Sequence, residues 1–161
     1  MKKIIVIGCP GSGKSTFSKE LHKKIDIPLF HLDMMYWNED KTTVDKEIFL
    51  EQLNNTLQKE AWIIDGNYSS TMELRLQACD TVFFLDYPLS WCLDGIKSRK
   101  GKPRTDLPWI EAEDDAEFLE FIKNYNSVSR PTVLKLLEKY SSKNIFIFRE
   151  RNEAVEFLDK L

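Results

Sequence analysis

The chain has 161 residues and a formal net charge of −3 at pH 7, a length that suits one domain (1–161) with a substantial core. That charge excludes broad electrostatic attraction to nucleic acid or to anionic membranes, so any phosphate site must be a local cluster of basic groups. No apolar run approaches the ~20 residues of a membrane span, and strand pattern begins right after Lys2-Lys3, which leaves no room for a signal peptide and leads to the expectation of a cytoplasmic protein.

The first element is a strand over Lys3 to Ile7, and the most informative stretch of the chain lies directly after it. Gly8-Cys9-Pro10-Gly11-Ser12-Gly13-Lys14-Ser15-Thr16 reads G-x-x-x-x-G-K-S between an apolar run and a helix-patterned segment, the context a phosphate-binding loop requires. Glycines let the backbone turn and bring its N–H groups close to a triphosphate, and the helix that begins near Gly13 adds free amides and its positive dipole end. Lys14 is then expected to reach the β- and γ-phosphates, and the Ser15 hydroxyl to ligate Mg²⁺. No Asn-Lys-x-Asp guanine motif occurs, so the nucleotide expected is ATP. Cys9, Cys79 and Cys92 have neither C-x-x-C spacing nor a nearby His cluster, so reduced thiols are expected rather than a zinc site. Cys9 is either a reactive thiol or a small side chain beside phosphate-facing backbone.

Further strand runs occur at Pro28–Leu32, Trp62–Ile64, Thr81–Leu85 and Asn144–Phe148, all short and apolar enough for strands buried on both faces of a parallel sheet. Helical spacing groups Ile48/Phe49 with Leu53 and Leu57, Phe118 with Phe121/Ile122 and Tyr125, Val133 with Leu136/Leu137 and Tyr140, and Ala154 with Phe157/Leu158 and Leu161. Such alternation predicts a doubly wound α/β sheet whose ligands sit at the carboxyl ends of the strands.

Each strand exit carries polar residues. The second exits at His31-Leu32-Asp33, where Asp33 either orients and deprotonates an acceptor hydroxyl or caps the segment before Trp37. His31 reads as a core histidine or a support for such a group. The third strand exits at Asp65-Gly66-Asn67-Tyr68, with Asp65 either holding Mg²⁺ through water or capping a turn. The fourth exits at Asp86-Tyr87-Pro88, where Asp86 reads as a turn residue. Beyond it Arg99, Lys100, Lys102 and Arg104 make a basic loop punctuated by Gly101 and Pro103, with an acidic stretch from Glu111 to Glu117 behind it. This is either a lid over about 97–112 that supplies arginines to the phosphates, or a solvated loop paired with its acidic neighbour. Arg130, before Pro131, is either a further phosphate arginine or a helix-start residue.

These residues together resemble the small P-loop kinases of the adenylate kinase type and, within them, the DNA topology modulation protein family. The likeness runs over nearly the whole chain: Gly8 to Thr16, His31-Leu32-Asp33 with Trp37, Trp62 to Tyr68, Arg75 with Ala78-Cys79-Asp80, Phe84-Leu85-Asp86, Arg104-x-Asp106, Glu117-Phe118-Leu119, Asn124-Tyr125 and Arg130. The resemblance implies a five-stranded parallel sheet of order 2-3-1-4-5, ATP with Mg²⁺, and a kinase-like site. It further implies that Asp33, Trp37, Asp65, Gly66, Asn67 and Arg75 face a small acceptor, a nucleoside or nucleotide being one class. Arg99 or Arg104 matches the lid arginines, Arg130 an arginine after the lid, and the stretch from Arg149 to Asn152 the adenine. The chain departs from the family pattern where Leu107-Pro108-Trp109 stands in place of a Gly-Cys pair, and where Phe121 stands near an expected tryptophan. The alternatives to a kinase are an ATP-binding regulator with slow hydrolysis, acting through a protein or DNA partner, and a small-metabolite kinase. No direct nucleic-acid contact is expected of an acidic chain.

Overall fold

The β-branched and aromatic runs pair as strands, as their spacing predicts. In a computed structural model that describes residues 1–111 and 115–161, they are β1 (Lys3–Gly8), β2 (Leu29–His31), β3 (Trp62–Asp65), β4 (Thr81–Leu85) and β5 (Asn144–Phe148). All neighbours are parallel, in the order β2-β3-β1-β4-β5. The registers Val6↔Asp65, His31↔Asp65 and Gly8↔Leu85 bring the strand exits to one edge of the sheet.

Eight helices fill the crossovers among the described residues: α1 (Lys14–Ile25), α2 (Leu32–Tyr36), α3 (Lys46–Leu57), α4 (Ser69–Ala78), α5 (Leu89–Arg99), α6 (Ala116–Lys123), α7 (Tyr125–Lys139) and α8 (Arg151–Asp159). They cover both faces of the sheet. One apolar cluster joins Ile5, Ile7, Ile64 and Phe84 to α3, α4 and α7; the other joins Ile4, Val6, Phe83 and Leu85 to α1, α5 and α8. Each such side chain, fully removed from water, contributes about 1.5–3 kcal/mol before entropy is counted. No described helix is long and apolar enough to cross a membrane.

Four details correct the sequence expectation. The edge strands β2 and β5 are only half-buried, because each has a strand neighbour on one side alone. Strand two stops at His31 and the chain turns at once into the short α2, so Asp33 lies inside a helix whose start its side chain does not cap. The apolar spacing from Phe118 to Tyr125 is split at Asn124, which ends α6 and opens α7; Ile122 and Tyr125 are buried while Phe121 is 46% exposed. Ile48, paired with Phe49 by spacing, faces outward. Of the expected lid over 97–112, residue 112 lies outside the described residues, as do residues 113 and 114 of the acidic stretch.

Candidate active site

The loop after β1 turns tightly onto α1. Gly13 adopts φ 94° as the residue capping α1, and the Phe17 amide donates to its carbonyl at 2.9 Å. On the other side α5 is seated directly on the loop. A methyl at Gly11 would lie 2.0 Å from the Cys92 carbonyl oxygen, and one at Gly95 would lie 2.1 Å from the Gly11 oxygen. Pro10 to Thr16 line a cavity of about 1060 Å³, whereas Gly8 and Cys9 stand behind it. The Cys9 side chain is buried in the apolar cluster that also holds Cys92, and its thiol is pushed up by its contact with Cys92 and by burial. That overturns the reactive-thiol reading, and all three cysteines are free.

The Lys14 ammonium donates to the Gly8 and Cys9 carbonyls at 3.0 and 3.3 Å, curled over the loop. Burial pulls its pKa down, countered in part by Asp33. The Ser15 hydroxyl is buried with no hydrogen-bond partner among the described residues. A buried polar atom without a partner is costly, and an Mg²⁺ ion would satisfy it, so the residues present fit that ion.

Facing the loop from α2 and β3 stand the acidic groups. Asp33 and Asp65 both line the cavity, with Trp37, Gly66 and Asn67. The Tyr68 hydroxyl donates to Asp33 Oδ1 in a short contact. Burial raises the Asp33 carboxyl above the ordinary carboxylate range, and the Tyr68 and Lys14 contacts oppose that rise. Asp65 lies 2.8 Å from His31 Nδ1 through Oδ2, so His31 supports a carboxylate. Asn67 does more than line the cavity: its Oδ1 accepts from the Gly8 amide at 3.1 Å and braces the loop. Tyr68 holds φ 35°, a left-handed value costly for a bulky residue.

Arg75 does not reach the cavity, contrary to the expectation that it holds an acceptor phosphate. It is fully buried, and its guanidinium donates to the Gly66 carbonyl at 2.9 Å, to that of Tyr68 at 3.1 Å and to that of Asn67. A cation whose donors are taken up by three carbonyls of one turn fixes that turn, and with it Tyr68.

The basic loop borders the cavity and is paired with acidic neighbours. Arg99 and Arg104 line the cavity. Arg104 donates to both oxygens of Asp106, from Nε at 3.0 Å and Nη2 at 2.6 Å, and from Nη1 to Glu111. Arg99 Nε lies 2.9 Å from Glu111 Oε1. Burial acts to raise the Asp106 carboxyl, but Arg104 outweighs it and holds the group at about 2. Trp109 packs edge-on against Trp37 at 5.1 Å, tying the loop to the segment after β2.

Two further arginines are corrected. Arg130 sits inside α7 and not at a helix start, and it makes a two-fold pair with Asp86, 2.8 Å on each arm, without lining the cavity. Asp86 therefore anchors α7 rather than a turn. Arg149 faces solvent outside the cavity, while Arg151, two residues on, lines it and lies over the Trp91 ring at 5.6 Å. A helix turn begins between them, which decides which of the two faces inward. Sequence reasoning also passed over Tyr68 and Asp106, although both stand in motifs it used, Asp-Gly-Asn-Tyr and Arg-x-Asp.

Comparison with known proteins fits this geometry. No family model matches the chain. A curated relative, the shikimate kinase of Rhodococcus jostii (strain RHA1), is 38% identical over 50 residues, which is 31% of this chain and 29% of that protein. The chain thus spans under a third of the curated relative it matches. Among solved structures, shikimate kinase from Acinetobacter baumannii in complex with shikimate superposes with a TM-score of 0.66 at 15% identity, covering 99% of this chain and 90% of that one. The Bacteroides thetaiotaomicron shikimate kinase gives 0.58 at 19% identity, covering 98% and 94%. Deoxyadenosine kinase from M. mycoides with bound dATP gives 0.56 at 20% identity, covering 99% and 98%. The chain has the α/β fold of these P-loop kinases.

Proposed function

We propose that this chain is an ATP-dependent phosphotransferase that moves the γ-phosphoryl group of ATP to a hydroxyl of a small acceptor. The observation that carries the reading is one cavity with Lys14 and the phosphate loop on one wall and the Asp33 carboxylate on the other, with Arg104 also lining it. Asp33 takes the proton of the acceptor hydroxyl as its oxygen bonds to the γ-phosphorus and the bond to the ADP oxygen breaks. Lys14 and Arg104 neutralise charge on the moving group, and Arg99 supports Arg104 through their shared Glu111. Because the chemistry asks little covalent work of the protein, position and electrostatics supply most of the rate. Ser15 and Asp65 would hold Mg²⁺, which when bound neutralises phosphate charge. The adenine is proposed to rest by Arg151 at the start of α8.

The likeness to a shikimate kinase segment favours one alternative, a small-metabolite kinase whose acceptor hydroxyl also meets Asp33. The resemblance to DNA topology modulation proteins stands as our family proposal. We take the role to be cytoplasmic and directed at small molecules, with no direct nucleic-acid or membrane partner. A screen of ADP release with nucleosides, nucleotides, shikimate and other hydroxy acids tests the reading: an acceptor should raise turnover well above the rate with ATP alone. A slow rate that no acceptor changes would favour an ATP-binding regulator instead.

A further inference from the structure

Among the described residues, the acceptor side of the cavity has carboxylates facing it and no uncommitted arginine to offer a negatively charged acceptor. Asp33, Asp65 and Asp106 line it. Each nearby arginine is already paired: Arg75 lies under its turn, Arg130 is on Asp86, Arg99 is on Glu111, and Arg104 is on Asp106 and Glu111. Lys14 belongs to the phosphate loop, and the other cations of the cavity lining, Lys19 and Arg151, stand on α1 and α8. The remaining wall is largely aromatic and aliphatic, with Trp37, Tyr68, Met72, Val133 and Leu136, beside the uncharged polar Asn67, Ser69 and Thr132.

We infer that the acceptor is an uncharged, hydroxyl-bearing molecule with a flat apolar body, the nucleoside class, and that Asp106 enforces this choice by neutralising Arg104. The inference deepens the phosphotransferase reading of this same cavity and rests on it. A phosphate monoester or carboxylic acid entering here would meet like charges, which strongly disfavour an interface. Arg104 offers it little, because two carboxylates, Asp106 and Glu111, already balance its single charge, and to win that charge the anion would have to displace Asp106, whose side chain is 9% exposed. The depressed pKa of Asp106 agrees, since it keeps that charge in place at any physiological pH. Arg104 still serves ATP. Its contacts to Asp106 and Glu111 use three of its five N–H donors, so a γ-phosphate oxygen can be met without leaving Asp106. The flat walls suit a ring: Trp37 is held edge-on by Trp109 at 5.1 Å and by Tyr36 at 5.0 Å.

The test is calorimetric titration of the full chain, saturated with a non-hydrolysable ATP analogue and Mg²⁺, with nucleosides and with their 5′-monophosphates. At least one nucleoside should bind, and its monophosphate should bind ~10-fold more weakly or worse. In Asp106→Asn the monophosphate should gain about tenfold while the nucleoside stays within about threefold, because Arg104 is released to an incoming anion. Glu111→Gln, at a less buried position, should move the ratio in the same direction and serves if Asp106→Asn does not fold. A monophosphate that binds the parent better than its nucleoside overturns the inference, as does a ratio that neither variant moves, or the binding of no nucleoside. Binding is read apart from chemistry. A nucleoside that binds without being phosphorylated sinks the phosphotransferase reading and leaves the charge preference standing, whereas phosphorylation of a monophosphate in preference does the reverse.

Discussion

Replacing Gly95 by alanine tests how α5 holds the phosphate loop. In an ordinary helix interior the change stabilises by about 1 kcal/mol, because glycine pays more backbone entropy. Here the new methyl would sit 2.1 Å from the Gly11 carbonyl oxygen and 3.0 Å from its carbon. Side-chain carbons essentially never come within 3.0 Å of such an atom, so helix and loop must part by about 1 Å. The obstacle is backbone on the loop side, which has no rotamer to yield. Forced overpacking of this kind costs about 1–3 kcal/mol, which cancels the helix gain and leaves a net loss of about 0–2 kcal/mol. The loop must also reshape, and if its amides bind the phosphates as proposed, ATP affinity should fall by about tenfold or more. Urea unfolding and titration with an ATP analogue measure the two effects. A Gly95→Ala protein that is about 1 kcal/mol more stable and binds nucleotide as the parent does would refute the seating of α5 on the loop.

Three further outcomes are expected. Asp33→Asn should keep ATP affinity within a few-fold while acceptor-stimulated turnover drops by ~10²–10⁴, the range of a lost general base; unchanged turnover in steady-state assays would remove Asp33 from the chemistry. Tyr68→Phe should move the acidic limb of the kcat/KM–pH profile to higher pH, since the hydroxyl opposes the rise that burial imposes on Asp33. In linkage terms a carboxyl whose folded pKa is raised favours folding below its unfolded value, 3.8 here, and that stability is lost as pH climbs through the folded value. The Tyr68→Phe protein should show this loss extending to higher pH in denaturation series; matching curves for both proteins would rule the contact out. Arg130→Ala should cost about 1.5–3 kcal/mol in thermal or urea unfolding by leaving Asp86 unpaired, with ATP turnover nearly intact, while a ~10²-fold fall in turnover at full stability would restore Arg130 to the site.

The parts of the molecule legible in sequence were those written locally. A parallel sheet buried in its centre needs continuous apolar runs, so all five strands match their expected spans to within one residue at each end; β2 loses Pro28 at its start and Leu32 to α2 at its end. The phosphate loop is legible for a related reason: one covalent spacing sets its glycines, Lys14 and Ser15 together. What sequence could not supply was the choice among partners far apart in the chain. Arg130 and Asp86 are 44 residues apart, and Tyr68 and Asp33 are 35 apart. Arginines expected at phosphates were therefore found at the most suitable nearby acceptors: Arg75 at carbonyls, Arg130 at Asp86, Arg104 at Asp106. The basic loop pairs with its acidic neighbours, and Arg99 and Arg104 line the cavity while held by Glu111 and Asp106. A one-residue turn of helix is likewise beyond spacing alone, and it decided between Arg149 and Arg151.

The central claim, that phosphoryl leaves ATP for an acceptor held against Asp33, is tested most directly by tracing the label of γ-³²P-ATP with Mg²⁺ and a nucleoside panel, in the parent, Lys14→Ala and Asp33→Asn proteins. The account predicts that labelled phosphate appears on a nucleoside hydroxyl in the parent, that Lys14→Ala abolishes the product, and that Asp33→Asn lowers it by ~10²-fold or more. Label released only as inorganic phosphate, at one rate whatever acceptor is present and whether or not Asp33 is intact, would contradict it.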